Sequence, residues 1–114
     1  MKKVFLILLA ALLCISAGAQ DLTPKQNMRG KWGYVDSKGT MLIKAKYDMA
    51  EEFAADGLAK VKKDGKWGFI NKAGKEVIRL RYDEVGYFSD GLSYVKNEGK
   101  WGIINREGKV LVKV

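Results

Sequence analysis

The chain has 114 residues, a formal net charge of +8 at pH 7, a single cysteine and no histidine. Imidazole catalysis, an internal disulfide and zinc sites built from His and Cys are thereby excluded. A chain of this size buries roughly 60 to 65% of its unfolded surface, enough for one modest core and one domain.

Residues 1–19, "MKKVFLILLAALLCISAGA", have a lysine pair, an apolar run from Val4 to Ile15, and a small-residue end. This is the pattern of a secretory signal peptide, too short to span a bilayer, with cleavage expected after Ala19. Cys14 is preceded by Leu13 and lies inside the apolar run, so we read it as part of the signal core and not as a lipidation site. Loss of Lys2 and Lys3 lowers the charge to +6, two lysines fewer than the full chain. The remaining chain carries no cysteine and no second membrane segment is expected in it. Residues 20–29 read as an N-terminal linker, with no strand to match those of the later units.

From residue 30 onward the sequence repeats. Lys31-Trp32-Gly33, Lys66-Trp67-Gly68 and Lys100-Trp101-Gly102 hold every tryptophan, spaced 35 and 34 residues apart. Two units follow, 31–65 and 66–99, then a partial unit, 100–114. Tyr47-Asp48 matches Tyr82-Asp83, Phe53 matches Phe88, Asp56-Gly57-Leu58 matches Asp90-Gly91-Leu92, and Val61 matches Val95.

These motifs resemble the WG-repeat family: KWG-aromatic-Ile-Asp/Asn, a glycine turn, a Val-Ile run, Tyr-Asp, Phe, Gly-Leu-Ala and Asp-Gly. The resemblance covers residues 30–114. It departs at one place, where the proline that follows Val-Ile in the family is Lys44, Arg79 or Lys113 here. The resemblance implies a bacterial protein, secreted or at the surface, and no defined common activity.

Within one unit, alternation places Trp67 and Phe69 on one face of a strand and Gly68 and Ile70 on the other. Asp36, Asn71 and Asn105 each begin an Asx-type turn closed by Gly39, Gly74 or Gly108. A second strand follows, with Ile78, Leu80 and Tyr82 on one face and Arg79 and Arg81 on the other. A third runs from Leu92 to Lys96, and Asp64-Gly65 or Glu98-Gly99 turns the chain into the next Trp strand. The connectors "DMAEEFAAD" and "EVGYFSD" have room for a short helical turn in the first unit. The fold class is all-β: three-stranded antiparallel units, about eight strands, in a twisted meander that is either solenoid-like or closed as a small barrel.

Each Trp is expected to pack against the adjacent unit, with its glycine allowing a neighbouring backbone or indole to approach. The alternative is an exposed row of indoles that stacks on sugars or a peptide. Trp32, Gly33, Trp67, Gly68, Trp101 and Gly102 are therefore read as the structural signature of the repeat.

No nucleophile and base pair is evident, so no enzyme and no cofactor is expected. Asp48 with Asp83, or Asp56 with Asp90, would be the paired carboxylates of a hydrolase. Each instead occupies an equivalent repeat position and is expected to serve its own turn. The cations are more informative. Lys44, Lys46, Arg79, Arg81 and Lys113 recur on second strands and would form a basic strip for an anionic surface polymer or an envelope protein. The plain alternative is a solvated face whose charges block edge pairing. Nucleic acid is not an expected partner. The sequence reads as an exported, periplasmic or extracellular binding or scaffolding module. A carbohydrate-binding module using Tyr87 or Tyr94 is the alternative.

Overall fold

Asp48 alone separates the last residue of one strand, Tyr47, from the first of the next, Met49, and at that residue the chain passes from one sheet to another. Asp83 does the same between Tyr82 and Glu84. The computed structural model describes residues 21–113. The expected signal peptide lies outside the described residues.

Eleven strands form three separate antiparallel sheets, and no helix is present among the described residues. The first sheet is β1 (Thr23–Gln26), β2 (Trp32–Val35) and β3 (Met41–Tyr47). The second is β4 (Met49–Ala50), β5 (Ala59–Lys63), β6 (Lys66–Ile70) and β7 (Glu76–Tyr82). The third is β8 (Glu84–Val85), β9 (Leu92–Asn97), β10 (Lys100–Asn105) and β11 (Val110–Lys113). The sheets are open, as in a solenoid, and none closes into a barrel.

Three expectations need correction. The supposed linker contains β1, which pairs with β2 from Thr23 opposite Val35 to Gln26 opposite Trp32. Pro24 is tolerated there because β1 is an edge strand. The connectors hold no helical turn. Instead each opens with a two-residue strand, β4 against β5 and β8 against β9. The folding unit thus has four strands and begins after Tyr-Asp, so it is offset from the sequence unit that begins at KWG.

The turns follow local chemistry. Asn71 Oδ1 accepts the amides of Ala73 and Lys75, each at 3.0 Å, and Asp36 and Asn105 repeat that pattern. Asp64 and Gly65 have φ of 53° and 80°, and Glu98 and Gly99 repeat those values, the sign pattern of a type I′ hairpin.

The core lies between sheets, in two clusters. The first joins Tyr34, Ile43 and Tyr47 of the first sheet to Ala59, Val61 and Ile70 of the second. The second joins Phe69, Ile78 and Tyr82 of the second sheet to Val85, Val95 and Ile104 of the third. The middle strand β6 therefore buries both faces, Ile70 toward the first cluster and Phe69 toward the second. Full burial of a side chain such as Ile70 contributes about 1.5–3 kcal/mol. Connector aromatics close each cluster. Phe53 lies 4.8 Å from Tyr34, and Phe88 lies 4.9 Å from Phe69.

Candidate functional site

The Trp-Gly glycine shapes the second strand. Trp67 pairs with Tyr82 and Phe69 with Ile78, so Gly68 alone opposes the three residues Arg79, Leu80 and Arg81. A β-carbon on Gly68 would sit 2.4 Å from the carbonyl oxygen of Ile78. Only glycine lets the partner backbone bulge over this point. Gly33 stands in the same relation to Lys44, Ala45 and Lys46, and its β-carbon would lie 2.3 Å from the Ile43 carbonyl oxygen. The approaching group is the partner strand's own backbone, not an indole.

The bulge also breaks the expected alternation. Ile78 and Tyr82 enter the second cluster, whereas Leu80 packs against the first. These three residues do not share a face. Arg79 and Arg81 both project to solvent from the bulge, as Lys44 and Lys46 do from β3. Tyr82 holds Arg81: the guanidinium lies 5.3 Å from the ring centre and donates to the hydroxyl at 3.3 Å.

Two clefts use these cations. One, of about 410 Å³, is lined by Lys63, Asp64, Lys66, Glu76, Arg79 and Arg81. The other, of about 370 Å³, includes Arg81, Asn97, Glu98, Lys100, Trp101, Val110 and Lys113. They are the same place in successive repeats. Lys66 corresponds to Lys100, Arg79 to Lys113, and Lys63 to Asn97. Arg81 borders both. Of the five cations singled out in the sequence, the structure brings Arg79 and Arg81 to the first cleft, and Arg81 and Lys113 to the second. Lys44 and Lys46 stand on the first sheet and line neither. Sequence reasoning missed Lys63, Lys66 and Lys100. The lysine that precedes each Trp-Gly was the signal for Lys66 and Lys100.

The tryptophans sit at the rims of the cores. Trp32 and Trp67 are half-buried against the first and second clusters, and Trp101 is 41% exposed. They are not the principal adhesive between sheets; Tyr34, Tyr47, Tyr82 and Phe69 fill that role because they point into the intersheet space. Cations cover two of the indoles, Trp67 and Trp101. Lys60 Nζ lies 5.0 Å from the Trp67 ring centre, Lys62 Nζ 5.6 Å from it, and Lys96 Nζ 5.2 Å from that of Trp101. Tyr94 adds a ring contact to Trp101 at 5.2 Å, while Tyr87 donates its hydroxyl to Glu51.

The paired carboxylates are occupied. Asp83 accepts Lys66 Nζ at 2.6 Å and the Glu98 amide at 2.9 Å. Asp48 accepts Lys31 Nζ and, at 2.8 Å, the Asp64 amide. In each case the lysine belongs to the sheet before the junction and the amide to the sheet after it. The Lys31 bond and the Asp64 amide hold the Asp48 carboxyl below the ordinary aspartate range, and Lys66 and Glu98 do the same for Asp83. Asp56 accepts the Leu58 amide at 2.9 Å within its own turn. Among the described residues, no group of three or more acidic, His or Cys side chains is placed to hold a metal ion.

The family model of the WG containing repeat matches residues 32–67 and 67–101. No curated protein and no solved structure matches the chain.

Proposed function

This chain belongs to the WG-containing-repeat family, and from that premise we propose that it is a non-enzymatic binding module of the bacterial envelope, exported by its leading segment, whose basic clefts hold an anionic partner. The partner is an anionic surface polymer or an acidic envelope protein. The observation that carries the reading is the repetition of one basic cleft in successive sheets, with Arg81 shared between them. Two equivalent sites one repeat apart suit a partner that is itself repetitive. Bulged strands support it as well, because bulges re-aim side chains out of the ladder.

The non-enzymatic reading is supported by the engagement of Asp48 and Asp83 in ion pairs and turn amides. A carboxylate so held is a poor proton carrier at neutral pH. A second reading, sugar binding through exposed aromatics, draws on Tyr94 and Trp101, 50% and 41% exposed and in mutual contact. Tyr87 fits it less well, being engaged by Lys60 and Glu51.

The test is retention of the mature protein on an anionic matrix over a salt gradient. The double variant Arg79→Ser/Arg81→Ser is expected to elute well before wild type while its circular dichroism is unchanged. Coincident elution would refute the basic clefts as the binding site.

A further inference from the structure

The two clefts are equivalent in position but not in chemistry, and the difference is informative. In the first, Asp64, Glu76 and Leu80 stand among the cations, and the Lys66 ammonium is engaged by Asp83. In the second, Glu98 keeps the acidic place of Asp64, but Glu76 is replaced by Val110, and Trp101 joins the lining. Trp101 is the most exposed of the three indoles; Tyr94 packs beside it and Lys96 Nζ lies 5.2 Å from its ring centre, and the residue keeps 41% of its surface open. The second cleft thus places a partly exposed indole, with the apolar Val110 beside it, among Arg81, Lys100 and Lys113. Its volume of about 370 Å³ falls within the roughly 300–1,000 Å³ typical of small-ligand sites.

An aromatic plane with flanking cations suits one ligand chemistry in particular. A pyranose ring offers a flat patch of C–H groups that covers an indole, and a ring carboxylate or sulfate gives the guanidinium a planar or tripodal acceptor. Neutral sugars would leave the excess of Arg81, Lys100 and Lys113 over the single carboxylate of Glu98 unanswered. A simple polyanion would leave the indole unused. The geometry points to an acidic polysaccharide as the ligand of this site, with Trp101 as the stacking platform, Arg81 as the principal anion partner, and Lys100 and Lys113 as flanking charges. Arg81 is suited to that part because Tyr82 fixes it from below through the ring contact and the hydroxyl. The first cleft, which also contains Arg81, would take the next acidic unit of the same chain by charge alone. This assignment rests on the proposed function above and narrows its partner.

Isothermal titration calorimetry on the mature protein at about physiological salt separates the two claims. The probes are oligogalacturonate, its methyl ester, a sulfated oligosaccharide and polyglutamate. Wild type is expected to bind oligogalacturonate, the sulfated oligosaccharide or both, and to lose most of that binding with the neutral ester. Trp101→Ala should weaken oligosaccharide binding roughly tenfold, the scale of one lost ring contact, while polyglutamate binding stays unchanged. Trp101→Tyr should restore most of the loss, which excludes misfolding as its cause. Tighter binding of the uronate or of the sulfated sugar identifies the anionic group recognised. If Trp101→Ala binds every oligosaccharide as wild type does, the acidic-sugar assignment falls; loss of polyglutamate binding in Arg81→Ser would then still uphold the basic clefts. If polyglutamate alone binds, the partner is an acidic protein and the assignment falls. If wild type binds none of the probes, both claims fall.

Discussion

The Asp83 carboxylate accepts the backbone amide of Glu98 at 2.9 Å, and its other oxygen takes the ammonium of Lys66 at 2.6 Å. Lys66 lies in the second sheet and Glu98 in the turn between two strands of the third. One side chain therefore pins two sheets together at the residue where the chain crosses between them. It also steadies a type I′ turn in which a non-glycine residue, Glu98, holds φ at 53°. Asp48 performs the same operation one repeat earlier. This explains why aspartate follows tyrosine in both units: the tyrosine fills the intersheet core and the aspartate clamps its edge.

The clamp predicts an acid-sensitive stability. Both carboxyls have folded-state affinities for protons below those of ordinary aspartate, first because of their lysine hydrogen bonds and then because of the turn amides. A depressed carboxyl stabilises the fold above its unfolded value, near 3.8, and that contribution is lost as pH falls through the lower folded value. Thermal melts from pH 7 to pH 2 should show a drop in Tm beginning as pH approaches 4. The double variant Asp48→Asn/Asp83→Asn should start from a lower Tm at pH 7 and show a shallower acid drop. An acid drop as steep as that of wild type would remove the clamp as its source.

Gly68 should tolerate no side chain. Its substitution by alanine sets a methyl 2.4 Å from the Ile78 carbonyl oxygen, and the obstacle is backbone. Gly68→Ala is expected to cost about 1–3 kcal/mol or more, the range for overpacking. Gly102→Ala, where the nearest obstacle is the Val112 carbonyl oxygen at 3.0 Å, should cost less. Urea denaturation of both variants checks the order. Equal losses would count against the bulge as the reason for the glycine.

Ile70 is fully buried on the middle strand, in the cluster that joins the first and second sheets. Ile70→Ala should lower stability by about 2–5 kcal/mol. Because that cluster joins neighbouring sheets, amide exchange should accelerate in β2 and β3 as well as in β6. Acceleration confined to β6 would mean that the sheets are stable independently.

The three indoles should differ in access. Trp101 is exposed and lies in a cationic cleft, whereas Trp32 and Trp67 are half-buried. Iodide should quench one population strongly, with a salt dependence that acrylamide does not share, since screening weakens attraction of the anion. Trp101→Phe should remove that population. Uniform quenching of all three indoles would contradict this arrangement.

Lys60 bridges two aromatic rings, 5.0 Å from the centre of Trp67 and 4.5 Å from that of Tyr87. Its side chain is 14% exposed, so the contact is largely screened from water. Lys60→Met should cost about 0.5–2 kcal/mol, the range for a cation over aromatic faces, and shift Trp67 emission. An unshifted emission spectrum in the variant would mean that the indole does not sense the lysine.

What the sequence determined by itself is local. Trp67 and Phe69 alternate with Gly68 and Ile70, so the strand and its two faces could be read from a few neighbours, although the burial of both faces could not. Asp36, Asn71 and Asn105 announced their turns because an Asx side chain bonds backbone only two and four residues away. Even β1 was legible in principle. Asn27-Met28-Arg29-Gly30 is the same turn, with the Asn27 side chain accepting the Arg29 and Lys31 amides, but the strand before it shares no residue pattern with β5 or β9. What only the tertiary structure decided depends on partners distant in the chain. Leu80 left the face of Ile78 because the bulge over Gly68 reverses the alternation, and strand period alone assumes a regular partner. Asp48 became a clamp because Asp64, in the following hairpin, returns to it after β4 and β5 have paired. Arg81, Lys100, Trp101 and Lys113 form one cleft because two sheets stack, and that stacking is set by intersheet packing of Phe69, Tyr82, Val95 and Ile104, which no short window of sequence contains.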